Sequence, residues 1–281
     1  MCKECGCGLG GGGVTVGGEA LKPGHPEGQD PHHGHQHGGG HDHHTHGGHE
    51  QEHSHHSHPQ ETVTLQLNRS LLDKNDRMAE RNRGFFQAKK LLVLNVVSSP
   101  GSGKTTFIRE TAARLAGQLR VGVIVGDLAT DNDAAQLKTA GIPVVQITTG
   151  TVCHLDADMV SKAAAKLNLD DLDVLVIENV GNLVCPADYD LGEDMRVVLL
   201  SSTEGEDKPL KYPPMFHSAN VAVITKKDLA AAAGFDREKA MASLQRVSHH
   251  ALIFELSAKS GEGMQKWQDS LVSKHAVAAH S

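Results

Sequence analysis

The clearest chemistry in this 281-residue chain lies in Ser98-Ser99-Pro100-Gly101-Ser102-Gly103-Lys104-Thr105-Thr106. The run follows an apolar stretch and opens a helical one, the setting in which backbone N–H groups cradle phosphate oxygens. Gly101 and Gly103 let the loop turn its amides inward, and the helix from Lys104 adds its positive N-terminus. Lys104 is placed to reach the β- and γ-phosphates and Thr105 to ligate Mg²⁺, with Ser102 and Thr106 completing the phosphate set. Ser98 stands where such loops usually begin with glycine.

Two acids close later apolar runs, Asp127 after Val121–Gly126 and Glu178 after Val174–Ile177. The carboxyl ends of strands are where open α/β sheets bind ligands. Lys104, Asp127 and Glu178 are therefore the expected catalytic set, and Thr105, Asp127 and Glu178 the expected Mg²⁺ set. Glu178-Asn179-Val180-Gly181 has the acid-x-x-Gly spacing of a γ-phosphate-sensing switch. Asp131 and Asp133 read as acids at a helix start. Thr225-Lys226-Lys227-Asp228 is similar to the Asn-Lys-x-Asp guanine motif, with Thr for Asn. Asp228 would accept hydrogen bonds from guanine N1–H and the 2-amino group, which adenine does not offer. Ser257-Ala258-Lys259, after another apolar run, would present a backbone N–H to guanine O6. Together these favour GTP over ATP.

Metal-ligating residues form three groups. Cys2, Cys5 and Cys7 can wrap one soft or borderline ion. Fourteen of the 20 histidines fall between His25 and His58. Among them His32, His33, His35, His37, His41, His43, His44, His46, His49, His53, His55, His56 and His58 suit Ni²⁺, Zn²⁺ or Cu²⁺ as a low-specificity store. Cys153, His154 and Cys185 form the third group, with Cys185 seven residues beyond Glu178. His217, His249, His250, His275 and His280 read as ordinary histidines.

The elements that position these residues follow from composition and pattern. Residues 1–61 lack Phe, Trp, Tyr and Ile, and hold 16 glycines before Glu50. Too little apolar surface is available there to offset backbone entropy. The expected organisation is a metal motif over 1–10, a disordered Gly/His-rich arm over 11–61 and a folded domain over 62–281. A helix is expected from Ser70, as N-cap, to Ala88. Seven apolar runs follow, at 91–97, 121–125, 144–147, 174–177, 197–200, 221–224 and 252–256. Helices are expected at 104–116, 131–140, 156–167, 236–248 and 263–276. This alternation predicts an α/β fold with a mainly parallel, doubly wound sheet. A net charge of −7 argues against nucleic acid as partner. No run is long enough for a membrane span, and the N-terminus is not a secretory signal. Crowded N-terminal cysteines fit a reducing cytoplasm.

Taken jointly, the Cys2–Cys7 cluster, the phosphate loop, Gly126–Asp133, Cys153-His154-Leu155-Asp156, Glu178–Pro186 and Thr225–Asp228 resemble the HypB family of hydrogenase-maturation GTPases, in the SIMIBI class of P-loop GTPases. The resemblance implies a nucleotide-dependent homodimer that helps deliver Ni²⁺ to the [NiFe]-hydrogenase large subunit precursor. It carries a Ni²⁺ or Zn²⁺ site onto Cys153, His154 and Cys185, and a tighter nickel site onto Cys2, Cys5 and Cys7. It also implies a HypA-type nickel protein and the chaperone SlyD as partners. No arginine finger in cis stands out, so slow turnover is expected. Two other readings stay open, a nickel-storage protein whose GTPase is secondary and the urease accessory family UreG. The latter has Cys-Pro-His where this chain has Cys153-His154.

Overall fold

Strands that are apolar on every residue are stable only where a sheet is covered on both faces, and the chain builds that arrangement. The structure is a computed structural model that describes residues 14–20, 59–128 and 130–278. Two compact units are defined, and the described part of the first, Lys22–Arg69, is the opening of one helix. The second unit holds the other elements. In chain order the elements are β1 (Thr15–Val16), β2 (Glu19–Ala20), α1 (Pro59–Ala88), β3 (Leu92–Ser98), α2 (Lys104–Leu115), β4 (Val121–Asp127), α3 (Asn132–Thr139) and β5 (Val144–Thr148). They continue with α4 (Ala157–Ala164), β6 (Val174–Glu178), β7 (Met195–Ser201), α5 (Lys208–Lys211), α6 (Pro213–His217), β8 (Val221–Thr225), α7 (Arg237–Val247), β9 (Leu252–Glu255) and α8 (Met264–Ala278).

The sheet order is β2-β1-β5-β4-β6-β3-β7-β8-β9. Strands β3 to β9 pair in parallel, in agreement with the seven expected runs. Along β3 the side chains alternate. Leu92, Leu94 and Val96 pack with Phe107, Ile108 and Trp267 on one face, while Val93 packs with Phe86, Val160 and Ile177 on the other. The single tryptophan, Trp267 on α8, is fully buried between Phe107 and Phe254, and its indole N–H donates to Thr111 Oγ1 at 3.0 Å. That bond satisfies the polar edge of an otherwise apolar anchor.

Three expectations need correction. Residues 14–20 are not part of a structureless arm. β1 pairs antiparallel with the edge of β5, Val16 is fully buried, and a Gly17-Gly18 turn returns the chain as β2. Lys166 holds this hairpin through the Val16 carbonyl at 2.8 Å. The open edge of β5 supplies backbone partners that composition does not reveal. Second, α1 begins at Pro59, so Ser70 lies inside the helix and is not its cap. Proline at the first helical position marks that start. Third, α5 and α6 were not expected; Pro209, Pro213 and Pro214 sit in their first turns, where a missing N–H costs nothing. The other helices match within one to three residues at each end. Cys2, Cys5, Cys7 and His25 to His58 lie outside the described residues.

From Ser70 onward α1 braces the loops around the sheet. The Asn82 amide donates to the Ala157 carbonyl at 2.7 Å and the Leu191 carbonyl at 3.1 Å. Asn75 accepts from Ala157 N–H at 2.9 Å and donates to the Asp190 carbonyl at 2.8 Å. These buried bonds fix the start of α4 against the 190–193 loop.

Candidate functional site

β3 delivers the chain to a loop in which Gly101 (φ +74°) and Gly103 (φ +95°) are left-handed, a conformation a Cβ would strain. Ser98 and Ser102 are fully buried below that loop and bond to each other. The Ser98 hydroxyl also accepts from Lys104 Nζ at 3.1 Å. The serine in place of the usual glycine thus gives the lysine a resting partner. Burial pushes the Lys104 ammonium down, while Glu178, Asp133, Glu204 and Asp127 pull it back up.

Thr105 donates to Glu178 Oε1 at 2.7 Å, whereas Glu178 Oε2 is buried with no hydrogen-bond partner. An orphaned carboxylate oxygen beside a threonine hydroxyl fits a hard divalent cation, so the residues present suit Mg²⁺. Burial raises the Glu178 carboxyl from 4.5 to about 7, against the pull of Lys104 and Thr105. A folded-state value above the unfolded one contributes stability that is complete below about 4.5 and is lost as pH rises through about 7. In nucleotide-free protein the thermal midpoint of wild type relative to Glu178→Gln is expected to fall across that window. A difference independent of pH would contradict the assignment.

Asp127 does not share the Thr105–Glu178 contact. Its carboxylate accepts from Leu128 N–H at 2.6 Å and from the Thr130 hydroxyl, and it reaches Glu178 only as a like charge. Asp133, read from sequence as a helix-start acid, acts on Glu178 and Lys104 more strongly than Asp127 does. Lys208, also missed, donates to Ser99 Oγ in the phosphate loop and is held by Glu204 at 2.8 Å. No local pattern marks it, since it arrives from α5.

The base residues converge. One pocket is lined by Thr225, Lys226, Asp228, Ser257, Ala258 and Lys259 together with Ser102, Gly103, Thr106, Phe107 and Leu229. Thr225 Oγ1 donates to the Ser102 carbonyl at 3.1 Å and Lys226 Nζ to the Gly101 carbonyl at 2.7 Å, tying base loop to phosphate loop. Ser257 donates to Asp228 Oδ1 at 2.5 Å, which orients the carboxylate.

The third metal group also assembles. The two thiols and one imidazole nitrogen of Cys153, His154 and Cys185 all lie within 4.8 Å of one another. The sulfurs are 2.8 Å apart without a disulfide. His154 Nδ1 is buried with no hydrogen-bond partner, its ring stacks on Tyr189 at 3.9 Å, and burial pushes its pKa down toward the neutral, ligating form. Arg196 holds this segment by donating to the Ala187 carbonyl at 3.0 Å and the Tyr189 carbonyl at 2.7 Å, and it is itself paired with buried Glu193.

The two centres are linked. A Cβ on Gly181 would stand 3.1 Å from Pro100 Cα, so the stretch after Glu178 lies directly on the phosphate loop. The next residue, Asn182, donates to the Cys153 carbonyl at 3.2 Å and accepts from Val184 N–H at 2.9 Å. On the other side, Thr149 and Gly150 N–H donate to the Asp127 and Leu128 carbonyls at 2.8 and 3.0 Å.

A parallel sheet with a phosphate loop after β3, acids at the ends of β4 and β6, and a base pocket behind defines a P-loop nucleotide-binding protein. Residues 92–255 match the family described as CobW/HypB/UreG, nucleotide-binding domain. The chain is 54% identical over 203 residues to the hydrogenase maturation factor HypB of Escherichia coli (strain K12), covering 72% of this chain and 70% of that one. It is 38% identical over 217 residues to the hydrogenase/urease maturation factor HypB of Helicobacter hepaticus, covering 76% and 89%. The crystal structure of HypB from Helicobacter pylori in complex with nickel superposes with a TM-score of 0.70 at 40% identity, covering 72% of this chain and 95% of that one. HypB from Archaeoglobus fulgidus gives 0.68 at 39%, covering 72% and 99%. The chain belongs to the HypB family of hydrogenase maturation factors.

Proposed function

We propose that this protein hydrolyses GTP and uses the cycle to control Ni²⁺ held at Cys153, His154 and Cys185, for insertion into the [NiFe]-hydrogenase large subunit precursor. The observation that carries the reading is the Asn182 bond to Cys153, one residue from the Gly181–Pro100 contact. A change at the γ-phosphate end of the loop displaces Gly181, and Asn182 transmits that displacement to the thiol pair. The nickel complex of the Helicobacter pylori relative supports the choice of ion; Zn²⁺ suits the same ligands.

In this mechanism Gly101 to Thr106 hold the phosphates, and Lys104 moves from Ser98 onto the β- and γ-oxygens. Thr105 and Glu178 would hold Mg²⁺, with Asp127 and Asp133 adding negative charge nearby. The ion would supply positive charge to offset that of the phosphates. Asp228 selects guanine, Lys226 lies along the purine, and Ser257 to Lys259 close the base pocket. Turnover is slow, since no arginine finger in cis stands out in the sequence. The protein works in the cytoplasm as a nucleotide-dependent homodimer, with a HypA-type nickel protein and SlyD as partners. Cys2, Cys5 and Cys7 supply a separate nickel site, and the histidines between His25 and His58 a store.

Cells carrying Cys185→Ser in the full chain test the reading. Hydrogenase activity is expected to be lost at limiting nickel while GTP turnover of the purified variant stays near wild type. Normal maturation at limiting nickel would overturn it.

A further inference from the structure

Two polar residues interrupt the apolar centre of the sheet side by side. Asn95 of β3 is fully buried, and Arg196 of β7 is 7% exposed and stands in register with it. A guanidinium persists in such a place only where its charge and its five N–H donors are met. Here they are. Nε and one terminal nitrogen reach Glu193 Oε1 at 3.1 and 3.0 Å, and that nitrogen also donates to the Tyr189 carbonyl at 2.7 Å. The other terminal nitrogen donates to the Ala187 carbonyl at 3.0 Å and to Ser218 Oγ at 2.9 Å.

Glu193 is anchored in turn. Its Oε1 accepts from Asn95 Nδ2 at 3.0 Å and its Oε2 from Leu191 N–H at 2.8 Å. Burial works against the carboxylate, but Arg196 and Asn95 outweigh burial and hold its pKa below the ordinary value. The Arg196 backbone is fixed as well, with its N–H on Asn220 Oδ1 at 2.7 Å and its carbonyl accepting from Asn220 N–H at 3.0 Å.

The two carbonyls that Arg196 grips belong to the metal centre. Ala187 lies in the short 3-10 turn Cys185–Asp188, two residues after Cys185. Tyr189 carries the ring that stacks on His154 at 3.9 Å. One side chain rooted in the sheet thus fixes a thiol and the wall behind the imidazole. Cys153 is mounted differently. Its carbonyl accepts from Asn182, in the stretch that lies against the phosphate loop.

We propose that Arg196 is a positioning residue that keeps Cys185 and Tyr189 stationary on the sheet, a role that presupposes the nickel site proposed for Cys153, His154 and Cys185. A shift of Asn182 then changes the separation of Cys153 from Cys185 instead of carrying both together. Two thiolates share an ion such as Zn²⁺ only while each sulfur stands about 2.3 Å from it. One fixed and one moving sulfur therefore convert a small displacement into a change of affinity.

Arg196→Lys tests this in the full chain with Cys2, Cys5 and Cys7 replaced by serine. Lysine keeps a charge beside Glu193 but cannot span Glu193 and both carbonyls. With GDP and Mg²⁺ present, Ni²⁺ affinity is expected to fall by about tenfold or more, the usual cost of losing an outer partner. The thiolate-to-nickel absorption per bound ion should drop toward that of one thiolate, because Cys185 leaves while Cys153 stays. A loss of folded protein lowers the amount bound and leaves the signal per ion unchanged. Glu193→Gln is the milder companion. It is isosteric, keeps an oxygen for Asn95, removes the charge that holds the guanidinium, and is expected to cut affinity by about fivefold with the same spectral trend. Fluorescent-GDP binding controls for folding. Wild-type absorption per ion in every variant that binds GDP would overturn the inference, whatever the affinity. Equal affinity of the unmutated site with GDP and with a GTP analogue would count against nucleotide control alone, because the GDP comparison decides the role of Arg196 without it.

Discussion

Lys104→Ala is expected to slow single-turnover GTP hydrolysis by about 10²–10³-fold, the cost of deleting one preorganised charge from a transition state. Lys104 opens α2 directly after Gly103 of the phosphate loop, and its ammonium is lowered by burial that nearby acids offset only in part. Burial works against the ammonium, but Glu178, Asp133, Glu204 and Asp127 all favour it. Among the described residues its side-chain hydrogen-bond partner is the neutral Ser98 hydroxyl at 3.1 Å, which it can leave without stranding a buried ion. Phosphate release, read beside fluorescent-GDP binding as the control for folding, measures the effect. A rate within about tenfold of wild type would show that the loop's catalytic contribution lies elsewhere.

The second large effect is on base choice. Asp228 faces the pocket with one oxygen fixed by Ser257 at 2.5 Å, and Ser257 itself accepts from Ser260 N–H at 3.1 Å. Asp228→Asn keeps the Ser257 bond on the amide oxygen and turns its NH₂ toward the base. Two charge-assisted hydrogen bonds to guanine are then lost, at about 1.5–3 kcal/mol each. GTP affinity is expected to fall by about 10²–10⁴-fold. Xanthosine triphosphate, with an oxygen in place of the 2-amino group, should bind the variant better than GTP. Competition against fluorescent GDP measures both. An unchanged preference for guanine would place base selection outside Asp228.

What the sequence made legible was local. The phosphate loop is contiguous, needs glycine at fixed positions and announces its strand and helix by periodicity. Thr225–Asp228 and Ser257–Lys259 could be read for the same reason, since each follows a buried strand. Even Ser98 was visible as a departure, although its bond to Lys104 was not. The unread parts depend on contacts far apart in the chain. Lys208 meets Ser99 across 109 positions, and Asn82 meets Ala157 across 75. Asn182 lay within the Glu178–Pro186 stretch that was noticed, but nothing local marks its amide for the Cys153 carbonyl. Asp133 lies in a run that was noticed, but helix-start acids are common and only the fold turns this one toward Glu178. Buried polar side chains that bond backbone carbonyls leave no periodic trace. The 14–20 hairpin was hidden for a related reason: its stability comes from the edge of β5, not from its own composition.

The central claim is that nucleotide state changes the hold on nickel at Cys153, His154 and Cys185. The full chain with Cys2, Cys5 and Cys7 replaced by serine keeps, of its five cysteines, only the two at that site. Thiolate-to-nickel absorption then reports that site alone, whatever the histidines bind. Its Ni²⁺ affinity is to be measured with GDP and with a non-hydrolysable GTP analogue, each with Mg²⁺. The account predicts affinities that differ by about 5–150-fold, the usual range for coupled sites, and a difference that collapses in Asn182→Ala. Equal affinity in the two nucleotide states would contradict it.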